Sequence, residues 1–220
     1  MQKKSDDLLK HQVKNELAWD TRTWNLGIET KVSNGVVSLS GIVPSYRQLL
    51  AAQEAAHRVE GVLDVVNDLT VKIPHKIPDE EIAHNIRRTL EWDVLVPDER
   101  IESMVNGGWV TLEGSVNSLR QVEDTLKAIE NLPGVIRITN KLTVEAQSAD
   151  PEGLRKAIEE ALERRADREA ERLVIDVRDG EVELYGRVHS DSERRAVVGS
   201  ISHARGIRKI NDHLKIDPYF

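Results

Sequence analysis

The chain has 220 residues, of which 39% are hydrophobic and 31% charged, with a net charge of −7 and no cysteine. That balance suits a globular chain with modest cores rather than a disordered one. It excludes disulfides and thiolate chemistry, and it opposes bulk attraction to nucleic acid or anionic lipid.

The first residues, Met1 to Leu8, run straight into a charged helical pattern. They offer no apolar leader and no small-residue cleavage site, so the expected location is the cytoplasm. A first helix is predicted from Leu9, Val13 and Leu17, one apolar residue every fourth position, with Ser5 as its N-cap. A strand follows, in which Ile28, Thr30 and Val32 alternate with Glu29 and Lys31. Asn34-Gly35 then supplies a pair that tolerates positive φ at both central positions of a type I′ turn. The hairpin register sets Val32 against Val37 on the inner face and Lys31 against Ser38 on the outer one. Gly41 shares the face of Val37 and Leu39, where a missing side chain signals close approach by a helix or by backbone. A second helix is expected from about Ser45 to Val59, ended by Gly61 in the left-handed conformation. A third strand carries Val62, Val65, Leu69 and Val71.

These elements recur after 73 and then 72 residues. Gly35 maps to Gly108 and Gly180, Gly41 to Gly114 and Gly186, and Gly61 to Gly134 and Gly206. Leu9, Val13 and Leu17 map to Ile82, Ile86 and Leu90, then to Leu154, Ile158 and Leu162, while Ala56 maps to Ile129 and Ile201. The reading is an α+β chain of three tandem αββαβ modules at 1–74, 75–147 and 148–220. Each is a three-stranded mixed sheet covered on one face by two helices. A right-handed crossover makes the third strand parallel to the second. Linkers fall at 74–78 and 147–151, with Asp150 as N-cap and Pro151 at the first helical position. A module of about 70 residues is marginal alone, so contacts between modules are expected to matter.

The run Gly35-Val36-Val37-Ser38-Leu39-Ser40-Gly41, then a helix, then Gly61-Val62-Leu63-Asp64-Val65-Val66-Asn67-Asp68-Leu69, resembles the BON domain (bacterial OsmY and nodulation domain). The second copy repeats it through Gly134 and Asn140; the third has Asp212 in the aligned asparagine place. The resemblance implies an osmotic-stress or envelope protein that binds phospholipid or a membrane surface and has no enzymatic activity.

The residues offer no rival chemistry. The seven histidines form no HxxxH or HExxH pair and are read as solvated surface groups, so neither metal nor cofactor is expected. No nucleophile elbow or phosphate-binding glycine loop is present. The stretch Arg164 to Arg172 is interleaved with acids and is read as a solvated segment; no nucleic acid partner is expected. Trp19 and its counterpart Trp92 are read as packing between first helix and sheet. Unrepeated Trp24 and Trp109, with Met104, are the contact candidates for lipid or protein, joined by Arg22, Lys3 and Lys4 near the N-terminus. Residues 1–74 hold nine basic and nine acidic side chains against eight and thirteen in 75–147, so the first module is expected to lead at an anionic surface. The alternative is a protein-interaction scaffold using exposed sheet faces.

Overall fold

The computed structural model describes residues 4–94, 96–145, 151–163, 173–204 and 206–218. The first module runs α1 (Asp6–Trp19), β1 (Glu29–Ser33), β2 (Val36–Val43), α2 (Tyr46–His57) and β3 (Asp64–Val71). The second runs α3 (Asp79–Trp92), β4 (Ile101–Asn106), β5 (Trp109–Val116), α4 (Leu119–Glu130) and β6 (Arg137–Val144). The third runs α5 (Pro151–Glu163), β7 (Val174–Arg178), β8 (Glu181–Val188), α6 (Asp191–Ser202) and β9 (Lys209–Ile216). Each sheet has the second strand in the middle, antiparallel to the first and parallel to the third. The predicted αββαβ unit is therefore present three times. Pro151 does open α5, while Asp150, Lys3 and the arginine-rich stretch from Arg164 lie outside the described residues, as does the side chain of Leu162.

Local chemistry explains the element boundaries. Ser5 caps α1 by accepting from the N–H of Leu8 at 3.3 Å. Ser45, Ser118 and Ser190 do the same for α2, α4 and α6. The hairpins turn on Asn34-Gly35 (φ 52° and 79°), Gly107-Gly108 (58° and 80°) and Asp179-Gly180 (47° and 78°). Positive φ at both positions is the type I′ geometry, and Val32 pairs with Val37 as the alternation requires. At Gly41 a side chain would sit 2.9 Å from the carbonyl oxygen of Gly27, so the close approach is by backbone at the start of the edge strand.

The sequence reading missed one recurrent device. The carboxylate of Asp6 accepts from the turn N–H groups of Asn34 (2.8 Å) and Gly35 (3.0 Å). Asp79, its counterpart 73 residues on, accepts from Gly107 (2.7 Å) and Gly108 (2.9 Å). The third module has Pro151 there, and Arg208 binds the carbonyl of Asp179 instead. Another device explains the third copy's departure: Asn67, Asn140 and Asp212 each accept from the N–H two residues ahead. Asn67 also donates through Nδ2 to the Leu49 carbonyl at 3.2 Å, which aspartate cannot do; Asp212 keeps the acceptor role and pairs with Arg194 at 2.6 Å instead.

Each module has its own core between helices and sheet. In the first it is built from Val13 and Leu17, Val37, Leu39 and Val43, and a stripe of Ala52, Ala55 and Ala56. The second and third use larger residues on that stripe, Ile129 and Ile201.

The modules join through one repeated contact. Tyr46, at the start of α2, packs on the core of the second module. Leu119, its counterpart on α4, packs on the core of the third. Asp191, the counterpart on α6, lies 3.6 Å from His57 of the first. The receiving residues of two joints are also equivalent, since Glu130, 3.2 Å from Arg47, lies one repeat offset beyond His57. Module one thus docks on two, two on three, and three on one. A head-to-tail contact that closes after three steps makes a ring with approximate threefold symmetry.

Candidate binding surfaces

Among the described residues the most exposed large apolar side chains lie at or just beyond the C-terminal ends of α1 and α3. Trp19 is 84% exposed, Trp24 69%, Trp92 77% and Val94 98%. This corrects the expectation that Trp19 and Trp92 pack between helix and sheet. The buried stripe of α1 is Leu9, Val13 and Leu17, and that of α3 is Ile82, Ile86 and Leu90. A residue two places beyond the stripe is rotated about 200° from it at 3.6 residues per turn, onto the solvent side. Trp92 carries the Arg88 guanidinium 5.3 Å above its ring and borders a shallow hollow lined by Asn85, Thr89, Leu132 and Pro133.

The connection that presents Trp24 is pinned from below. The Thr23 hydroxyl, fully buried, donates to the Leu17 carbonyl at 2.6 Å. Arg22 lies between Asp20 and Glu54, 2.7 Å from each, and so ties the connection to α2. Arg58 reaches Asp20 and Glu16, both at 2.8 Å. The hydrogen bond from Arg22, then that from Arg58, outweighs burial and holds the Asp20 carboxyl far below the ordinary range. Burial opposes the charge on Glu54, but Arg22 and Arg47 together keep that carboxyl below its usual value. Arg22 therefore positions the loop beneath Trp24. Lys4 donates to the carbonyl oxygen of Glu60 at 2.9 Å and lies 3.4 Å from its carboxylate.

A different surface is formed by the sheet faces that no helix covers. On the second module Trp109 donates through Nε1 to the Thr139 hydroxyl (2.7 Å) and carries the Arg137 guanidinium 5.2 Å above its ring. Met104, on the same outer face, is exposed. On the third module Tyr185 stacks on His213 with centroids 4.7 Å apart. Glu183 accepts from Asn211 and pairs with His213, which together lower its carboxyl. Val174, opposite Tyr185, is exposed as well.

The histidines do not all lie on the solvated surface. The His57 side chain is 11% exposed at the joint between modules one and three, and its Nδ1 is buried without a hydrogen-bond partner. A repeat offset pointed there, but only toward the unlike residues Glu130 and Ser202. Among the described residues no three metal-ligating side chains converge, and no helix is long and apolar enough to cross a membrane.

The BON domain model matches residues 5–73, 78–146 and 150–218. The osmotically-inducible protein Y of Escherichia coli (strain K12) is 28% identical over 143 residues, covering 62% of this chain and 71% of that protein. That relative is periplasmic, which overturns the cytoplasmic location expected from the N-terminus. Among solved structures, CdsD, a structural protein of the type III secretion system of Chlamydia trachomatis, is 17% identical over 96% of this chain and 92% of its own, with a TM-score of 0.27. The PrgH periplasmic domain is 12% identical over 86% and 95%, with a TM-score of 0.23. Scores this low give those overlays no weight.

Proposed function

The chain belongs to the BON domain family, and from that premise we propose that it is a non-catalytic protein that docks on phospholipid surfaces through the tryptophans at the ends of its first helices. The observation that carries this reading is the equivalent pair Trp19 and Trp92, left in solvent by helices whose aliphatic stripes are buried. The repeat offset carries Trp19 onto Trp92, and the exposed Trp24 and Val94 follow them in the chain. Tryptophan favours the boundary between water and lipid, where its ring is half apolar and its N–H stays wet. The pinned loop beneath Trp24 supports a surface that is ordered before it binds, which lowers the entropic cost of docking. The name of the Escherichia coli relative supports a stress-related role.

The contribution of charge is small in this reading. Lys4 and Arg22 are engaged by carboxylates of their own module, and the chain as a whole carries −7. Binding is therefore carried by the indoles. The test is co-sedimentation of the full chain with phosphatidylcholine vesicles and with vesicles containing phosphatidylglycerol. Binding to both, little changed by salt and lost on replacing Trp19, Trp24 and Trp92 with alanine, is the expected result. Absence of binding to either vesicle, or binding indifferent to that replacement, contradicts it. A second reading, a protein-interaction scaffold, is favoured by Trp109, Met104 and Tyr185 on the uncovered sheet faces.

A further inference from the structure

We propose that the joint between the third and first modules is a proton-operated clasp: the ring stays closed while His57 is neutral and opens at that joint when His57 takes up a proton. The three joints present equivalent residues, Tyr46, Leu119 and Asp191, but differ in chemistry. Tyr46 and Arg47 dock the first module on the second, with Arg47 3.2 Å from Glu130. Leu119 docks the second on the third through apolar contact. The third joint is the one that sets a histidine, the side chain that titrates near neutrality, against its neighbour.

The surroundings of that histidine decide the direction. Asp191 on α6 is itself buried, 6% exposed, and its Oδ2 is 2.6 Å from Arg195 on the same helix. At 3.6 Å from His57 Nδ1 the carboxylate is too distant for a hydrogen bond and is already neutralised. Asp191 and Asp64, at the start of β3, attract a charge on the imidazole; Arg195 and Arg194 repel it. Burial is the largest of these influences, and it pushes the imidazole below its ordinary range.

Opening the joint exposes His57 to water and returns it to that ordinary value. A histidine whose value is depressed in the closed form stabilises closure above the open-form value, and the stabilisation is lost as pH falls below it. Each unit of difference is a tenfold change in the ratio of closed to open molecules. At the joint of the first module on the second, burial raises the Glu130 carboxyl, so acid favours that contact rather than releasing it, and the Leu119 contact is apolar; acid therefore releases one contact and leaves the chain as an open arc.

Small-angle scattering on the full chain, between about pH 8 and about pH 5, reads the change directly. The expected result is a reversible rise in radius of gyration as pH falls through the histidine range, while far-UV circular dichroism stays constant. In His57→Phe the ring should stay compact throughout. If that variant does not fold, His57→Gln serves the same purpose. Arg195→Gln releases Asp191 to pair with the imidazolium, so the pH response should shrink. The proposal is overturned if the radius is unchanged with pH, if the response survives in the His57 variants, or if Arg195→Gln leaves it intact. Vesicle binding enters none of these readouts, so this proposal and the docking proposal can fail separately.

Discussion

Replacing Gly35 by valine should destabilise the first module through the turn that sets its register. Gly35 has φ +79°, a conformation that costs a residue with a side chain, and a β-branched one most of all. Its new Cβ would also stand 3.0 Å and 3.1 Å from Cγ and Cδ1 of Leu63, so the neighbour must give way. The turn is held on both sides, since the Gly35 N–H donates to Asp6 at 3.0 Å and its carbonyl accepts from Leu63 at 2.9 Å. It cannot relax without breaking those bonds. Strain of this kind is worth about 1–3 kcal/mol. In a small domain that corresponds to a fall in melting temperature of about 4–8 °C for each kcal/mol. Urea denaturation of the full chain, followed by near- and far-UV circular dichroism, reads the first module's transition. Gly27→Ala is the control, because a side chain there meets nothing within 4 Å. A Gly35→Val loss below about 0.5 kcal/mol, the ordinary range for a surface change, would refute the argument from turn geometry.

Removing the carboxylate that clamps the hairpin, by Asp6→Ala or Asp79→Ala, should cost about 1 kcal/mol in each case, measured by the same denaturation; a neutral result would mean that the turn holds itself. Asp20→Asn should lower stability near neutral pH, and the gap from the parent should close as pH falls through and below the ordinary aspartate range. The folded-state value is depressed, so its contribution is present above that range and lost in acid. A gap that is constant with pH would contradict this. Trp19→Ser and Trp92→Ser should each change stability by less than about 0.5 kcal/mol, because both rings are in solvent. A loss of about 3–5 kcal/mol, the cost of truncating a core aromatic, would restore the packed reading.

Much of the fold could be read from the amino acids because it rests on local rules. Positive φ at Asn34-Gly35 and the alternation of Val37 and Leu39 each demand particular residue types at fixed spacing, and the repeat shows each demand three times; the caps Ser45, Ser118 and Ser190 recur in the same way, although the sequence reading names only Ser5 as a serine cap. What depends on angle around a helix was less legible. Trp19 recurs at Trp92 and so looked like part of the core pattern, although counting from Leu17 would have turned it outward. What depends on distance in space was not legible at all. Arg22 looked like a free cation beside Trp24, yet Glu54, thirty-two residues away, holds it. His57 looked like any other surface histidine because the aspartate it faces belongs to the third module. The Asp6 clamp left a trace in the recurrence of Asp79, but a carboxylate at a helix start has an ordinary explanation in the helix dipole.

The claim that tryptophans at the ends of the first helices meet lipid is tested most directly by fluorescence quenching with brominated phosphatidylcholine, since the chain holds only four tryptophans. Trp109→Phe leaves Trp19, Trp24 and Trp92 as the emitters, and its fluorescence should be quenched on adding brominated vesicles. The complementary chain, with those three replaced by phenylalanine and Trp109 retained, should not be quenched. Quenching confined to Trp109 would place the lipid contact on the uncovered sheet face, and quenching of neither chain would contradict membrane docking by either surface.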